Sequence, residues 1–294
     1  MQEIALVSSD AIKRIYFEEA LSTSRLGSDT LQALTRQAAR SLSSDADKSA
    51  VLRAIAARPE GDASLNSAVA QAARSLSSDN DKQAVLLSLL TRGTQASLVL
   101  DVASTLSSDY DKSAVLVRAV TRYDGSDEMR QAFFRTAGTI SSDHDRMTVL
   151  LRMLARPSLD AASLVALLHS ADQISSDHDR SEVLIAAGAQ SQLADEATRG
   201  AFFAATGRIS SDYDRSRVLL SLLESHPKPS PDVVLDIIDA ASRMSGDTER
   251  ANVLIAVASH SPLTNPSLRE RFLSAVRGIS SSTEERRVLD VILK

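Results

Sequence analysis

The sequence SLSSDADKSAVL at residues 41–52 recurs along the chain with small changes. SLSSDNDKQAVL follows at residues 75–86, and related stretches begin at residues 105, 139, 173, 208, 243 and 278. A shorter copy, VSSDAIKR, begins at residue 7. Neighbouring copies begin 30 to 35 residues apart, and a period of this length is typical of proteins built from stacked structural repeats.

Each repeat contains two helical patterns. The first half carries an apolar stripe at Val51, Leu52, Ile55 and Ala56, and its Val-Leu pair returns at 85–86, 115–116, 149–150, 183–184, 218–219, 253–254 and 288–289. The second half carries a similar stripe, as in segment 164–171. All seven prolines, at residues 59, 157, 227, 229, 231, 262 and 266, lie between the two halves, where a helix must end. Each repeat is therefore predicted to be a helix, a loop and a second helix.

One such hairpin cannot bury both of its stripes, so its partner must be the next hairpin. We predict an all-α fold, an α-solenoid of eight to nine helical hairpins of about 34 residues each. The repeats would begin near residues 7, 41, 75, 105, 139, 173, 208, 243 and 278 of a single domain spanning 1–294. The chain opens inside a repeat, so we expect it to be a fragment of a longer protein.

The second halves also carry aromatic and charged residues. Five phenylalanines fall in their apolar stripes and are expected in the core: Phe133, Phe134, Phe202, Phe203 and Phe272. The charges vary between repeats, and the sequence leaves open whether they form a solvated face or a binding face: Arg36, Arg40, Arg74, Asp101, Arg130, Arg135, Asp172, Arg199, Asp236 and Asp239.

Composition narrows the function classes. The 294 residues are 43% hydrophobic and 3% aromatic, include no cysteine, and carry a formal net charge of −5. The missing cysteines exclude disulfides and thiolate catalysis. The acidic balance argues against nucleic acid as a partner, because phosphate binding needs a basic face. No stretch approaches the ~18 apolar residues of a membrane span, so we expect a soluble chain without membrane insertion.

The SSD motif is typical of a helix N-terminus. With Ser44 at the N-cap, Asp45 takes the first helical position (N1) and Asp47 the third (N3). A serine at the N-cap and an acid at N3 form a capping box, which satisfies free backbone N–H groups. The predicted capping residues are Ser44, Asp47, Ser78, Asp81, Ser108, Asp111, Ser142, Asp145, Ser176, Asp179, Ser211 and Asp214.

The charged residues of this motif allow one alternative role and one further expectation. Paired aspartates are also calcium ligands, but calcium takes about 6–8 oxygen ligands and usually a glycine-turned loop. The glutamates at N3 in the last two repeats, Glu249 and Glu284, favour capping. The cation at N4 is expected to form a solvent-exposed pair with the N1 aspartate or with a neighbouring repeat: Lys48, Lys82, Lys112, Arg146, Arg180, Arg215 and Arg250.

Position N2 is the variable member of the motif. Its occupants are Ala46, Asn80, Tyr110, His144, His178, Tyr213, Thr248 and Thr283. Tyr110, His144, His178 and Tyr213 form a row in the central repeats that would bind a peptide or a cationic ligand. Two alternatives stay open: His144 and His178 sharing a transition metal, or exposed side chains without a role. The histidines are also where pH sensitivity would enter.

The period, the helix pairing and the Val-Leu stripe resemble HEAT-like helical repeat proteins over essentially the full length. More narrowly, SSDYDK at 107–112 and SSDYDR at 210–215 resemble a bacterial helical repeat of secreted or envelope proteins, which also occurs beside BlaR-type metallopeptidase domains. The HExxH zinc motif of those peptidases is absent from this sequence, so no proteolytic activity transfers. The resemblance implies a non-catalytic interaction or sensing domain, located outside the cytoplasm in preference to inside it.

The sequence therefore predicts a protein- or peptide-binding scaffold that is not an enzyme and has no catalytic residues, cofactor or metal. One alternative is an architectural spacer that self-associates through open solenoid ends. A metal-dependent module using the Asp-x-Asp row and a nucleic-acid binder are less favoured, because no catalytic motif is present and the chain is acidic.

Overall fold

The computed structural model describes residues 7–22, 25–190, 193 and 195–293. Within these ranges the regular structure is helical, with 17 α-helices, a short 3-10 segment at Val120–Arg122 and no strand. The helices are α1 (Asp10–Ser22), α2 (Ser28–Ser41), α3 (Asp45–Ala56), α4 (Ala63–Ala73), α5 (Asp79–Arg92), α6 (Ala96–Ala103), α7 (Asp109–Ala119), α8 (Asp127–Ala137), α9 (Asp143–Leu154), α10 (Ala161–Ala171), α11 (Asp177–Gly188), α12 (Glu196–Gly207), α13 (Asp212–Ser225), α14 (Pro231–Ser242), α15 (Asp247–His260), α16 (Pro266–Arg277) and α17 (Ser282–Ile292).

The chain divides into two compact units, residues 1–149 and 150–294. In the first unit, the first helices of the repeats (α1, α3, α5, α7) pack in order, and the second helices (α2, α4, α6, α8) do the same. In the second unit, α11, α13, α15 and α17 pack in order beside α10, α12, α14 and α16. Two rows of helices that each contact their neighbours in sequence make an α-solenoid, so the predicted fold class is confirmed.

The core consists of the predicted stripes. The Val-Leu pairs from 51–52 to 253–254 are at most 1% exposed, whereas Leu289 of the last pair is half-buried. Phe133, Phe202 and Phe272 are fully buried. The prediction was wrong for Phe134 and Phe203, which are only half-buried. Each of these two rings lies edge-on to the buried phenylalanine before it, at centroid distances of 5.3 Å and 5.4 Å, because the helix turns it away from the core.

Local sequence explains where the helices begin and end. Ser230 and Asn265 are N-caps followed by Pro231 and Pro266 at N1, a position where the missing N–H of proline costs nothing. Gly93 ends α5 with a φ of 87°, a left-handed conformation that favours glycine. None of the helices in the described ranges combines the length and the hydropathy that crossing a membrane requires.

Candidate functional site

The serine of the SSD motif caps the first helix of the repeat. The Oγ atoms of Ser44, Ser78, Ser108, Ser142, Ser176, Ser211 and Ser281 accept a hydrogen bond from the N3 backbone N–H at 3.2–3.5 Å. Gly246 takes the N-cap position of α15 without a side-chain bond. Seven helix starts are thus held by the same local contact, which satisfies an N–H that the helix leaves free.

The N1 aspartate does not act within its own helix alone; it binds the next repeat. Oδ2 of Asp109, at the start of α7, accepts the backbone N–H groups of Ser141 at 2.9 Å and Ser142 at 2.8 Å. The same pair of bonds joins Asp10 to 43–44, Asp45 to 77–78, Asp79 to 107–108, Asp177 to 210–211 and Asp212 to 245–246. Asp247 accepts the N–H groups of 280–281 with one carboxylate oxygen each. A capping box predicts that the N-cap N–H donates to the N3 carboxylate of its own helix. Here that N–H donates to the N1 aspartate of the preceding repeat instead.

The cation at N4 contacts both the N1 aspartate and the following repeat. The Nζ of Lys112 lies 3.3 Å from Oδ1 of Asp109 and donates to the carbonyl of Thr139, beyond the end of α8, at 2.8 Å. Lys112 is 3% exposed, and Lys48, Lys82, Arg146, Arg180 and Arg250 are also buried, so the expected solvent exposure is wrong. The expected pairing with the N1 aspartate is present at Lys112, Arg180 and Arg215. We call the N1 aspartate, the two N–H groups that it accepts and the N4 cation the inter-repeat clamp.

The N4 cation lies where helix ends concentrate negative partial charge. Arg215 donates to the carbonyls of Ile209 and Arg243, which follow α12 and lie beyond the end of α14. Arg250 donates in the same way to the carbonyls of Met244, which follows α14, and of Gly278, which follows α16. The last carbonyls of a helix have no partner inside it, and the helix dipole favours a cation there. Arg215 and Arg250 thus each tie together the ends of two successive second helices.

Three carboxyl groups of the clamp, those of Asp10, Asp109 and Asp212, have lowered pKa values. Burial alone would raise the pKa of Asp109, but the N–H groups of Ser142 and Ser141 and the Lys112 ammonium outweigh it and lower the pKa. Burial and hydrogen bonds from the following repeat compete in the same way at Asp212, whose pKa is also lowered. The pKa of Asp10 is lowered chiefly by the N–H of Ser44. These carboxylates are charged near neutral pH and occupied by protein donors.

The N2 side chains remain outside the clamp. Tyr110 is 71% exposed and Tyr213 is 65% exposed, and His144 and His178 are exposed as well. Their backbone carbonyls are nevertheless fixed, because Ser113, Thr148, Ser181 and Ser216 donate to them at 2.8–2.9 Å. Tyr110 and His144 lie in neighbouring repeats of the first unit, and His178 and Tyr213 in neighbouring repeats of the second.

The residues that could hold a metal are dispersed. Across the described part of the chain, no group of three or more histidine, aspartate or glutamate side chains is placed to bind one ion. The two acids of the motif have different contacts. The N1 carboxylate accepts hydrogen bonds from the next repeat, whereas the backbone N–H of the N3 residue donates to the capping serine.

Comparison with known proteins gave no matching family model, no matching curated protein and no matching solved structure.

Proposed function

We propose that the chain is a non-catalytic scaffold that binds a peptide or protein partner through the exposed N2 residues. The observation that carries the proposal is the contrast within one motif. Asp109, Asp111 and Lys112 are all engaged or buried in the repeat stack, whereas Tyr110 between them is 71% exposed. The first helices of four successive repeats, α7, α9, α11 and α13, place an aromatic or imidazole ring at that position.

Exposed tyrosines on a fixed backbone suit recognition. Tyrosine is enriched at interfaces because it offers a large amphipathic surface with few rotatable bonds. Tyr110 and Tyr213 are held at the first turn of helices whose starts are fixed by a serine cap and an inter-repeat clamp. A preorganised surface loses less conformational entropy on binding, which favours affinity. The HEAT-like family and a location outside the cytoplasm stay predictions.

A displayed library of random peptides tests the proposal. The wild-type protein and an N80A/T248A control, altered at two other exposed N2 positions, are expected to enrich the same peptide sequences. Y110A/Y213A is expected to bind those peptides at least about 10-fold more weakly, as for aromatic residues that dominate an interface. Enriched peptides that bind Y110A/Y213A as tightly as the wild type would contradict the proposal.

A second candidate function, self-association as a spacer, is favoured by one surface of α1. Ile12, Ile15 and Tyr16 are 47%, 58% and 52% exposed on this helix. Tyr16 occupies the position, six residues after the N1 aspartate, that Val51 takes in the next repeat, and Val51 is fully buried. A second copy of the chain would cover this surface. Sedimentation of the wild type and of I15E/Y16E tests it: a wild-type dimer that the variant abolishes supports association, and a wild-type monomer at high concentration opposes it.

A further inference from the structure

The second helices α2 and α4 form a groove of about 480 Å³ on the surface of the first unit. Arg36 and Arg40 of α2 line one side, and Ser64, Ser67, Ala68 and Gln71 of α4 line the other. The volume is within the range of about 300–1,000 Å³ that is typical of ligand sites. Small side chains keep the groove open, and the hydroxyl and amide groups provide donors and acceptors along it.

The same groove recurs between α12 and α14 with different chemistry. Counted from the next N1 aspartate, Phe203 and Gly207 occupy the positions of Arg36 and Arg40, and both line a cavity of about 170 Å³. On the facing helix, Asp236 and Asp239 of α14 stand where α4 has Ala68 and Gln71. The chain thus contains two versions of one groove, which differ in the charges that line them.

In the α12–α14 version the charges are neutralised within the protein. Asp236 pairs with Arg199 at 3.0 Å, and Asp239 pairs with Arg271 at 2.9 Å. In the first unit, Arg135 of α8 pairs with Asp101 of α6. Neighbouring second helices therefore commonly supply each other with counter-charges.

The α2–α4 groove lacks such a counter-charge. Helix α4, ASLNSAVAQAA, contains no acidic residue, and in the described part of the chain neither Arg36 nor Arg40 forms an ion pair. Both arginines are exposed to solvent. Their guanidinium groups can therefore each bind a carboxylate in the two-point geometry that arginine favours.

We infer that the α2–α4 groove binds an acidic segment of a partner protein in extended conformation. Arg36 and Arg40 are one helical turn apart, so their Cβ atoms are about 5–6 Å apart. Alternate residues of an extended chain are separated by about 6.5 Å, since each residue advances about 3.3 Å. Carboxylates at alternate positions therefore match the two arginines. The formal net charge of −5 disfavours long polyanions such as nucleic acids. This site is separate from the N2 residues and does not depend on their function.

The test is fluorescence anisotropy with a labelled 12-residue peptide that has glutamate at alternate positions. The wild type is expected to bind it saturably and more weakly as salt is raised, because exposed charges are screened. R36E/R40E is expected to lose at least about 10-fold in affinity. The control R53E/R152E, with the same charge change at exposed first-helix positions, is expected to bind much more tightly than R36E/R40E.

A second variant tests the counter-charge argument without removing the arginines. A68D/Q71D introduces the two acids of α14 into α4 at half-buried and exposed positions, and is expected to reduce binding at least about 10-fold while the thermal unfolding temperature is retained. The inference is overturned if the wild type does not bind the peptide, or if R36E/R40E and R53E/R152E lose binding equally. It is also overturned if a glutamine version of the peptide or a single-stranded oligonucleotide binds as tightly. Y110A/Y213A is expected to bind the glutamate peptide normally, which separates this site from the proposed function.

Discussion

Asp109 and Ser142 belong to neighbouring repeats, and the backbone N–H of Ser142 donates to Oδ2 of Asp109 at 2.8 Å. Ser142 is at the same time the N-cap of its own helix, because its Oγ accepts the N–H of Asp145 at 3.2 Å. One residue thus starts a helix and fixes that helix to the previous repeat. The arrangement explains why the motif carries an aspartate at N1 in addition to the serine at the N-cap.

Replacing Asp109 by alanine is expected to lower the free energy of unfolding by about 2–3 kcal/mol. The substitution leaves the N–H groups of Ser141 and Ser142 and the buried Lys112 ammonium without their carboxylate. Urea unfolding measures the change. D127A is the matched control, because the Asp127 side chain is 81% exposed and its ion-pair partner among the described residues is Arg130. Its loss is expected to stay within about 0.5 kcal/mol, and equal losses in the two variants would argue against the clamp.

Replacing Lys112 by methionine is expected to cost about 3 kcal/mol, because a carboxylate and a carbonyl then lose a buried cationic donor. K112R is expected to cost less than about 1 kcal/mol, since Arg146 and Arg180 occupy the same position in later repeats. Thermal unfolding of the two variants distinguishes charge from packing. A methionine variant as stable as the arginine variant would show that the buried charge contributes nothing.

Replacing Ser108 by alanine is expected to lower stability by about 1 kcal/mol, the usual loss for an N-cap. Its Oγ accepts the N–H of Asp111 at 3.2 Å. S107A provides the comparison, because Ser107 contributes its backbone N–H to Asp79 and alanine retains that group. Chemical unfolding of both proteins should show the larger loss for S108A; the reverse order would contradict the assignment of Ser108 as the cap.

Acid is expected to destabilise the protein through the clamp. The pKa values of Asp10, Asp109 and Asp212 are lowered in the folded state, so the unfolded chain binds protons more tightly. The stability that these groups contribute is present above the ordinary aspartate pKa of about 3.9 and is lost as the pH falls through their lower folded values. Urea unfolding between pH 5 and pH 3 should therefore show a smaller loss in D109N/D212N than in the wild type.

Asp236 provides the opposite case. Burial raises the pKa of its carboxyl, and the Arg199 guanidinium only partly offsets this. The stability linked to this group is present below the ordinary aspartate pKa and is lost as the pH rises through the raised value. D236N is therefore expected to lose more stability than the wild type on acidification. The same pH dependence in D109N/D212N, D236N and the wild type would contradict both assignments.

The helices and the core were predictable because they follow from local spacing. Segments such as 45–56 repeat their apolar pattern and their capping serine, and both act within one hairpin. The clamp was not predicted, because Asp109 and Ser142 are 33 residues apart and only the stacking of repeats brings them together. A signal was nevertheless present: in α17 the N1 aspartate and the N4 cation change together, to Ser282 and Glu285, as expected for residues that act as a pair.

The candidate binding surfaces were predictable in part. The N2 row follows from position alone, because a side chain at the second residue of a helix faces solvent when its neighbours carry the contacts. The α2–α4 groove requires knowing that Ala68 and Gln71 face Arg36 and Arg40, which depends on how two hairpins pack. The sequence left the second-helix charges open between a solvated and a binding face for the same reason.

Hydrogen exchange at the backbone amides of Ser141 and Ser142 tests most directly whether the N1 aspartates join the repeats. Both amides donate to Asp109 in the wild type and are expected to exchange slowly. In D109A they are expected to exchange much faster, while the amide of Asp111, which donates to Ser108, keeps its protection. Unchanged slow exchange at Ser141 and Ser142 in D109A would contradict the account.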